Sequence, residues 1–201
     1  MWFSNSPFAL LPAICSTLLV LHAQEAVQAV DSPADIVRNV LRSLWDYDRN
    51  AGTLNREVGF ELPESVVNLY LAAALSERPR PMIDGMRLTF LAENRCVVDA
   101  RVDFTALRAA APKLFPASKQ QEFKGSKSVK AEFHFSVSSG YLTFEAKPLP
   151  SEVTPSQPVL SEVIRRIAAS QPEKIDTQQK IPLPFRLRRL WTRAGVLCGA
   201  T

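Results

Sequence analysis

The chain has 201 residues, 46% of them apolar and 22% charged, which is the balance of an ordinary globular protein and excludes a low-complexity or disordered chain. Its formal net charge of +4 is unevenly spread. From Ser151 onward Arg165, Arg166, Lys174, Lys180, Arg186, Arg188, Arg189 and Arg193 stand against four acids. Such an end suits an anionic surface, and for an exported chain lipid fits better than nucleic acid; a plain solvated face is the simplest account.

The first element is a leader. Phe8 to Leu21 carries no charge and is followed by small residues at Ala23 and Ala29, the order of an export signal with its cleavage region. The run is shorter than the roughly 20 residues a membrane-spanning helix needs. Residues 1–29 are therefore expected to be a signal peptide, cleaved after Ala23 or Ala29, and the protein to be exported to the periplasm or envelope. The segment before the run has no Lys or Arg, so an uncleaved anchor is the alternative. Cys15 lies inside the run, without the approach a lipidated cysteine has. Roughly 175 residues remain, enough for one domain with a substantial core.

Ser32-Pro33-Ala34-Asp35 reads as a helix start, with Ser32 as cap and Asp35 at the capping-box position. Val37, Val40, Leu41 and Leu44 continue at helical spacing to about Trp45. Arg56 to Leu62 alternates as a short extended piece. Pro63-Glu64 opens a second helix with Val67, Tyr70, Leu71, Ala74 and Leu75 on one face, stopped by Arg78-Pro79-Arg80-Pro81.

The period then changes to two. Met86, Leu88 and Phe90 lead to a turn at Glu93-Asn94-Arg95, and Cys96, Val98, Ala100, Val102 and Phe104 return. Val129 to Val137, the turn Ser138-Ser139-Gly140 and Tyr141 to Ala146 repeat the plan. These are half-buried antiparallel strands. Between them Leu107 to Ser128 reads as a long mobile loop. A third helix carries Leu160, Val163, Ile164, Ile167 and Ala168. Leu183 to Cys198 reads as a last hairpin.

Catalytic chemistry is thinly supplied. Once the leader is removed, His134 is the remaining histidine, with Glu132 and Ser136 at period two, and an exposed strand histidine is the simpler reading than a Ser-His-acid site. Asp46-Tyr47-Asp48-Arg49-Asn50 with Glu57 resembles a calcium loop, but Ala51 stands where that loop needs glycine, so a polar turn is the better account. Asp99, Arg101 and Asp103 read as a solvated charge ladder. No metal site, cofactor or nucleic-acid platform is expected. Cys96 and Cys198 are an even pair for an oxidising compartment. A disulfide between them would add about 4 kcal/mol on the chain-entropy model; two separate buried thiols are the equal alternative.

Glu61-Leu62-Pro63-Glu64 followed by Asn68, Tyr70 and Leu71 forms an extended piece and an E-x-x-x-N-x-Y-L helix. Two strand pairs, Pro148-Leu149-Pro150, a helix near Val159 to Ala169 and Leu183-Pro184-Phe185-Arg186-Leu187 follow in order. Over about residues 56–201 the chain resembles the tubular lipid-binding (TULIP-like) envelope proteins of bacteria. The resemblance implies an α+β fold, a long twisted antiparallel sheet packed on or wrapped around a helix, with phospholipid or another acyl lipid inside and no catalytic residues. Lipid-contact candidates are Leu71, Leu88, Phe90, Val102, Phe104, Phe133, Phe135, Phe144, Val163, Ile167 and Trp191. Arg186, Arg188, Arg189 and Arg193 would face an anionic membrane surface, at about 1 kcal/mol each. The leading expectation is a non-enzymatic lipid-binding or lipid-transfer protein. The alternative is a periplasmic scaffold or assembly protein of the same fold with a filled core.

Overall fold

The computed structural model describes residues 32–50, 57–77, 82–115, 122–169 and 180–201. The segment expected to be a leader, and the side chain of Ile167, lie outside them. Among the described residues the architecture is α+β: four helices and eight strands in two antiparallel sheets, one of them a curled half-barrel. No helix among the described residues is long and apolar enough to cross a membrane.

Helix α1 spans Pro33–Arg49 and opens on the capping box read from the sequence. Ser32 Oγ accepts from the Asp35 amide at 3.3 Å, and Asp35 accepts from the Ser32 amide at 3.0 Å. Hydrogen bonds from Ser32, with Arg38 beside it, hold the Asp35 carboxyl below the usual carboxylate range. The helix runs one turn past Trp45, because Asn50 closes it by donating side-chain and backbone N–H groups to the Asp46 carbonyl. Asp46 and Asp48 of the calcium-like pattern are thus helical, whereas its positions 51–56 lie outside the described residues.

Strand β1 (Gly59–Pro63) leads into α2 (Glu64–Glu77), which buries Val67, Tyr70, Leu71 and Ala74. Strands β2 (Ile83–Leu91) and β3 (Arg95–Asp103) are joined by a turn in which Glu93 and Asn94 are left-handed. The expected strand through Phe104 stops one residue earlier. Asp103 accepts from the amides of Thr105 and Ala106 and so caps α3 (Phe104–Ala110).

That cap also corrects the reading of Leu107 to Ser128 as one mobile loop. Leu107 belongs to α3, Pro112–Leu114 form a 3-10 turn, and Ser126 already begins β4 (Ser126–Ser138). Phe115 and Phe123 are buried against Phe104, with ring centroids 5.1 to 6.3 Å apart, so three aromatic rings pin both ends of the segment.

Strand β5 (Tyr141–Leu149) pairs with β4 through a tight turn at Ser139-Gly140, where both residues have positive φ as a two-residue hairpin requires. Helix α4 (Gln157–Ala169) lies against β5, and the short β6 (Ile181–Pro182) touches only the start of that strand. The long sheet has the order β2-β3-β4-β5-β6. One face is apolar and buried. The other is wet and carries cross-strand pairs such as Lys130–Asp99 at 3.4 Å and Arg95–Glu132 at 3.6 Å.

The last hairpin, β7 (Arg189–Arg193) and β8 (Val196–Ala200), pairs with β1 and not with the long sheet, giving a second sheet of order β1-β8-β7. A 3-10 turn, Pro184–Arg186, precedes it and packs against α1. Glycine has a steric reason at one position of this sheet: the Phe60 ring lies over Gly199, where a Cβ would collide with it.

Candidate functional site

The residues expected to hold acyl chains form a packed interior. Leu71, Leu88, Phe90, Val102, Phe104, Phe133, Phe135 and Val163 are buried at 6% exposure or less and belong to one core cluster. The apolar face of the long sheet is covered by the protein's own side chains from α2, α3 and α4. Under α1 lies an apolar void of about 50 Å³, walled by Leu41, Leu44, Leu62, Leu190 and Leu197 among others. Small-molecule pockets run to roughly 300–1,000 Å³. Trp191 is half-buried on the opposite face of the second sheet from Leu190, beside Cys198, so it does not join that interior.

The four arginines do not form one unscreened patch. Arg186 meets Asp48 at 3.1 Å, Arg189 meets Glu57, and Arg193 meets Glu61. Arg188 is exposed. Acids from the N-terminal half therefore neutralise three members of a cluster that looked purely basic in the sequence. Exposed pairs of this kind add little to stability, with a median of about 0–1 kcal/mol.

The disulfide does not form. Neither Cys96 nor Cys198 is in a disulfide, and both are buried. Cys96 is in β3 of the long sheet, whereas Cys198 is central in the second sheet, where its Sγ accepts from Arg193 at 3.5 Å. The alternative of two separate thiols is the observed one.

His134 is exposed on the wet face of β4, as expected. Ser136 hydrogen-bonds Thr143 at 2.7 Å and Glu132 faces Arg95, so the neighbours of the histidine are engaged elsewhere. Among the described residues no group of His, Cys, Asp and Glu side chains has the arrangement of a metal site.

Among the described residues a cleft of about 720 Å³ opens between β5 and α4. Leu114, Phe144, Ala146 and Ile164 give it an apolar floor, and Glu145, Lys147, Gln157, Glu162 and Arg165 line it with polar and charged groups. Among the described residues Phe144 is the one lipid-contact candidate that lines it. Its ring packs on Phe133 at 5.7 Å, so the cleft is an opening onto the edge of the core. Gln157 Nε2 reaches across and donates to the Ala146 carbonyl at 2.8 Å. From the sequence this strand ends at Ala146 with Pro148 beyond it, whereas β5 runs to Leu149; none of Ala146, Pro148 and Gln157 was expected to line a site. The available signal was Pro148, since proline inside a strand marks an edge.

A scan against protein-family models finds no matching model, and a search of curated proteins finds no match.

Proposed function

We propose that this chain is a non-catalytic scaffold or assembly protein of the bacterial envelope, exported by its leader and built on a tubular lipid-binding-like frame whose interior is filled. The observation that carries this reading is the packing of Phe90, Phe104, Phe133 and Phe135 at 1% exposure or less, where a carrier would keep room for acyl tails. The order of elements from β1 to the last hairpin supports the frame. The charge-free run from Phe8 to Leu21, read as an export leader, supports a place at the envelope.

The second reading, a phospholipid carrier, is favoured by the β5–α4 cleft, whose size falls within the range of ligand pockets and whose floor includes Phe144. Native mass spectrometry of leaderless protein purified without detergent, followed by organic extraction, separates the two. The scaffold reading expects a bare protein mass and no uptake of fluorescent phospholipid. Recovered phospholipid at one equivalent overturns it in favour of the carrier.

A further inference from the structure

The two long edges of the five-stranded sheet are finished in opposite ways. On β2, the amide and carbonyl of Leu88 both pair with the side chain of Asn68. The Phe90 amide donates to Glu64, and the Phe90 carbonyl accepts from Gly195. That edge is closed by α2 and the β7–β8 turn. On β5, the neighbour strand β6 pairs only with Tyr141 and Leu142.

Alternate residues of β5 direct their backbone groups outward. The two-residue turn makes Ser138 and Tyr141 the first hydrogen-bonded pair with β4, so Leu142, Phe144, Ala146 and Pro148 face away from it. The bond from Gln157 to the Ala146 carbonyl agrees with this phase. Among the described residues nothing pairs with the amide or carbonyl of Phe144, or with the amide of Ala146. Pro148, with no N–H to offer, ends the run. The open stretch from Thr143 to Lys147 is about 17 Å long at the usual strand rise.

We propose that this edge and the facing side of α4 form a docking groove for an extended peptide segment of a protein partner, which adds to the long sheet as a further strand. This rests on the scaffold reading and gives it a partner surface. A peptide backbone supplies the donors and acceptors that Phe144 and Ala146 lack, the mode of recognition known as strand addition. Partner side chains opposite Phe144 and Ala146 meet the apolar floor of Leu114 and Ile164; those opposite Glu145 and Lys147 face water. The segment recognised therefore alternates apolar with polar residues.

Two other occupants fit less well. An acyl chain in the groove would strip water from the Phe144 amide and carbonyl and return no hydrogen bond. A second copy pairing antiparallel through the middle of the open stretch would set Glu145 against Glu145, like charges directly opposed.

The test uses the leaderless protein and a pool of short acetylated peptides with Val, Ile or Leu at alternate positions and polar residues between. Binding is expected to slow hydrogen exchange at the Phe144 and Ala146 amides by about tenfold or more. N-methylation of alternate peptide nitrogens in one phase should abolish binding and in the other phase leave it. Gln157→Ala, which frees the Ala146 carbonyl, should tighten it. Equal binding by both N-methyl phases, or no binding by any member of the pool, overturns the proposal. So does a concentration-dependent dimer that protects the same two amides without peptide. If the peptides fail while extraction returns no lipid, only the groove is lost; recovered phospholipid removes the scaffold reading itself.

Discussion

Asn68, a helical residue, stands in for a strand residue opposite Leu88: its Nδ2 donates to the Leu88 carbonyl and its Oδ1 accepts from the Leu88 amide, each at 2.8 Å. One turn earlier on the same face of α2, Glu64 accepts from the amide of Phe90 at 2.8 Å. The spacing of four residues on a helix thus matches the spacing of two on a strand. An exposed strand edge is a template for unwanted pairing, and here a helix covers it with side chains that imitate backbone. The E-x-x-x-N part of the sequence pattern acquires a physical meaning: it is an edge cap.

Asn68→Ala removes both imitated bonds and leaves the Leu88 groups beneath a helix without partners. We expect a loss of about 1–3 kcal/mol, the range for an unsatisfied buried polar group. Urea unfolding checks it. Asn68→Asp keeps the acceptor but turns an oxygen toward the Leu88 carbonyl, and it should be no better tolerated than alanine at neutral pH. A loss below about 0.5 kcal/mol for both, the size of an ordinary surface change, would refute the cap.

Gly199 and Phe60 form a second dependent pair. The ring covers the glycine across the β1–β8 ladder, so Gly199→Ala must displace it. The expected cost is about 1–3 kcal/mol, as for other overpacked sites. In Phe60→Ala the added methyl group has room. A double-mutant cycle should therefore show Gly199→Ala costing much less in the Phe60→Ala background. Additive costs would mean that the ring and the glycine are independent.

Alkaline pH should act through Tyr70. Burial, with Arg38 opposing and Glu77 adding to the effect, pushes its phenol up to about 12 from an ordinary value near 10. The folded state thus keeps a proton that the unfolded state releases. Its contribution is fully present below about pH 10 and is lost as pH rises toward about 12, on the order of 2–3 kcal/mol in all. Tyr70→Phe should flatten the fall of stability across that window. Phenolate absorbance against pH, with denaturant midpoints, measures both; an equally steep fall in the phenylalanine variant would rule Tyr70 out.

Much of the fold is legible in the residues themselves. The capping box at Ser32 and Asp35, the helix opened by Pro63-Glu64 and the alternation of Leu88 with Phe90 and of Phe133 with Phe135 are local signals. They depend on backbone geometry within a few residues. Asp103 shows the limit. Its alternation fits a strand, yet its short side chain also caps a helix, and only the packing of Phe104 against Phe115 and Phe123 selects the second role.

The candidate site was less legible. A row of phenylalanines on a strand face has the same pattern whether it meets lipid or other side chains. The partners that decided the matter arrive from α2, α3 and α4, outside the strands' own periodic pattern. Likewise Arg186, Arg189 and Arg193 looked like an excess of charge because Asp48, Glu57 and Glu61 lie more than 100 residues away.

Local pattern in the sequence marked the long helices and the hairpin strands, the dry face of each, and a charge-free run from Phe8 to Leu21, but not helix α3. Tertiary structure alone decided that the last hairpin joins β1, that the two cysteines stay apart, that the interior is filled, and that one sheet edge is capped while the other is open. The reason is physical. Periodicity records how each residue meets its own backbone, whereas edge pairing and cavity filling depend on which distant segments loop closure brings together.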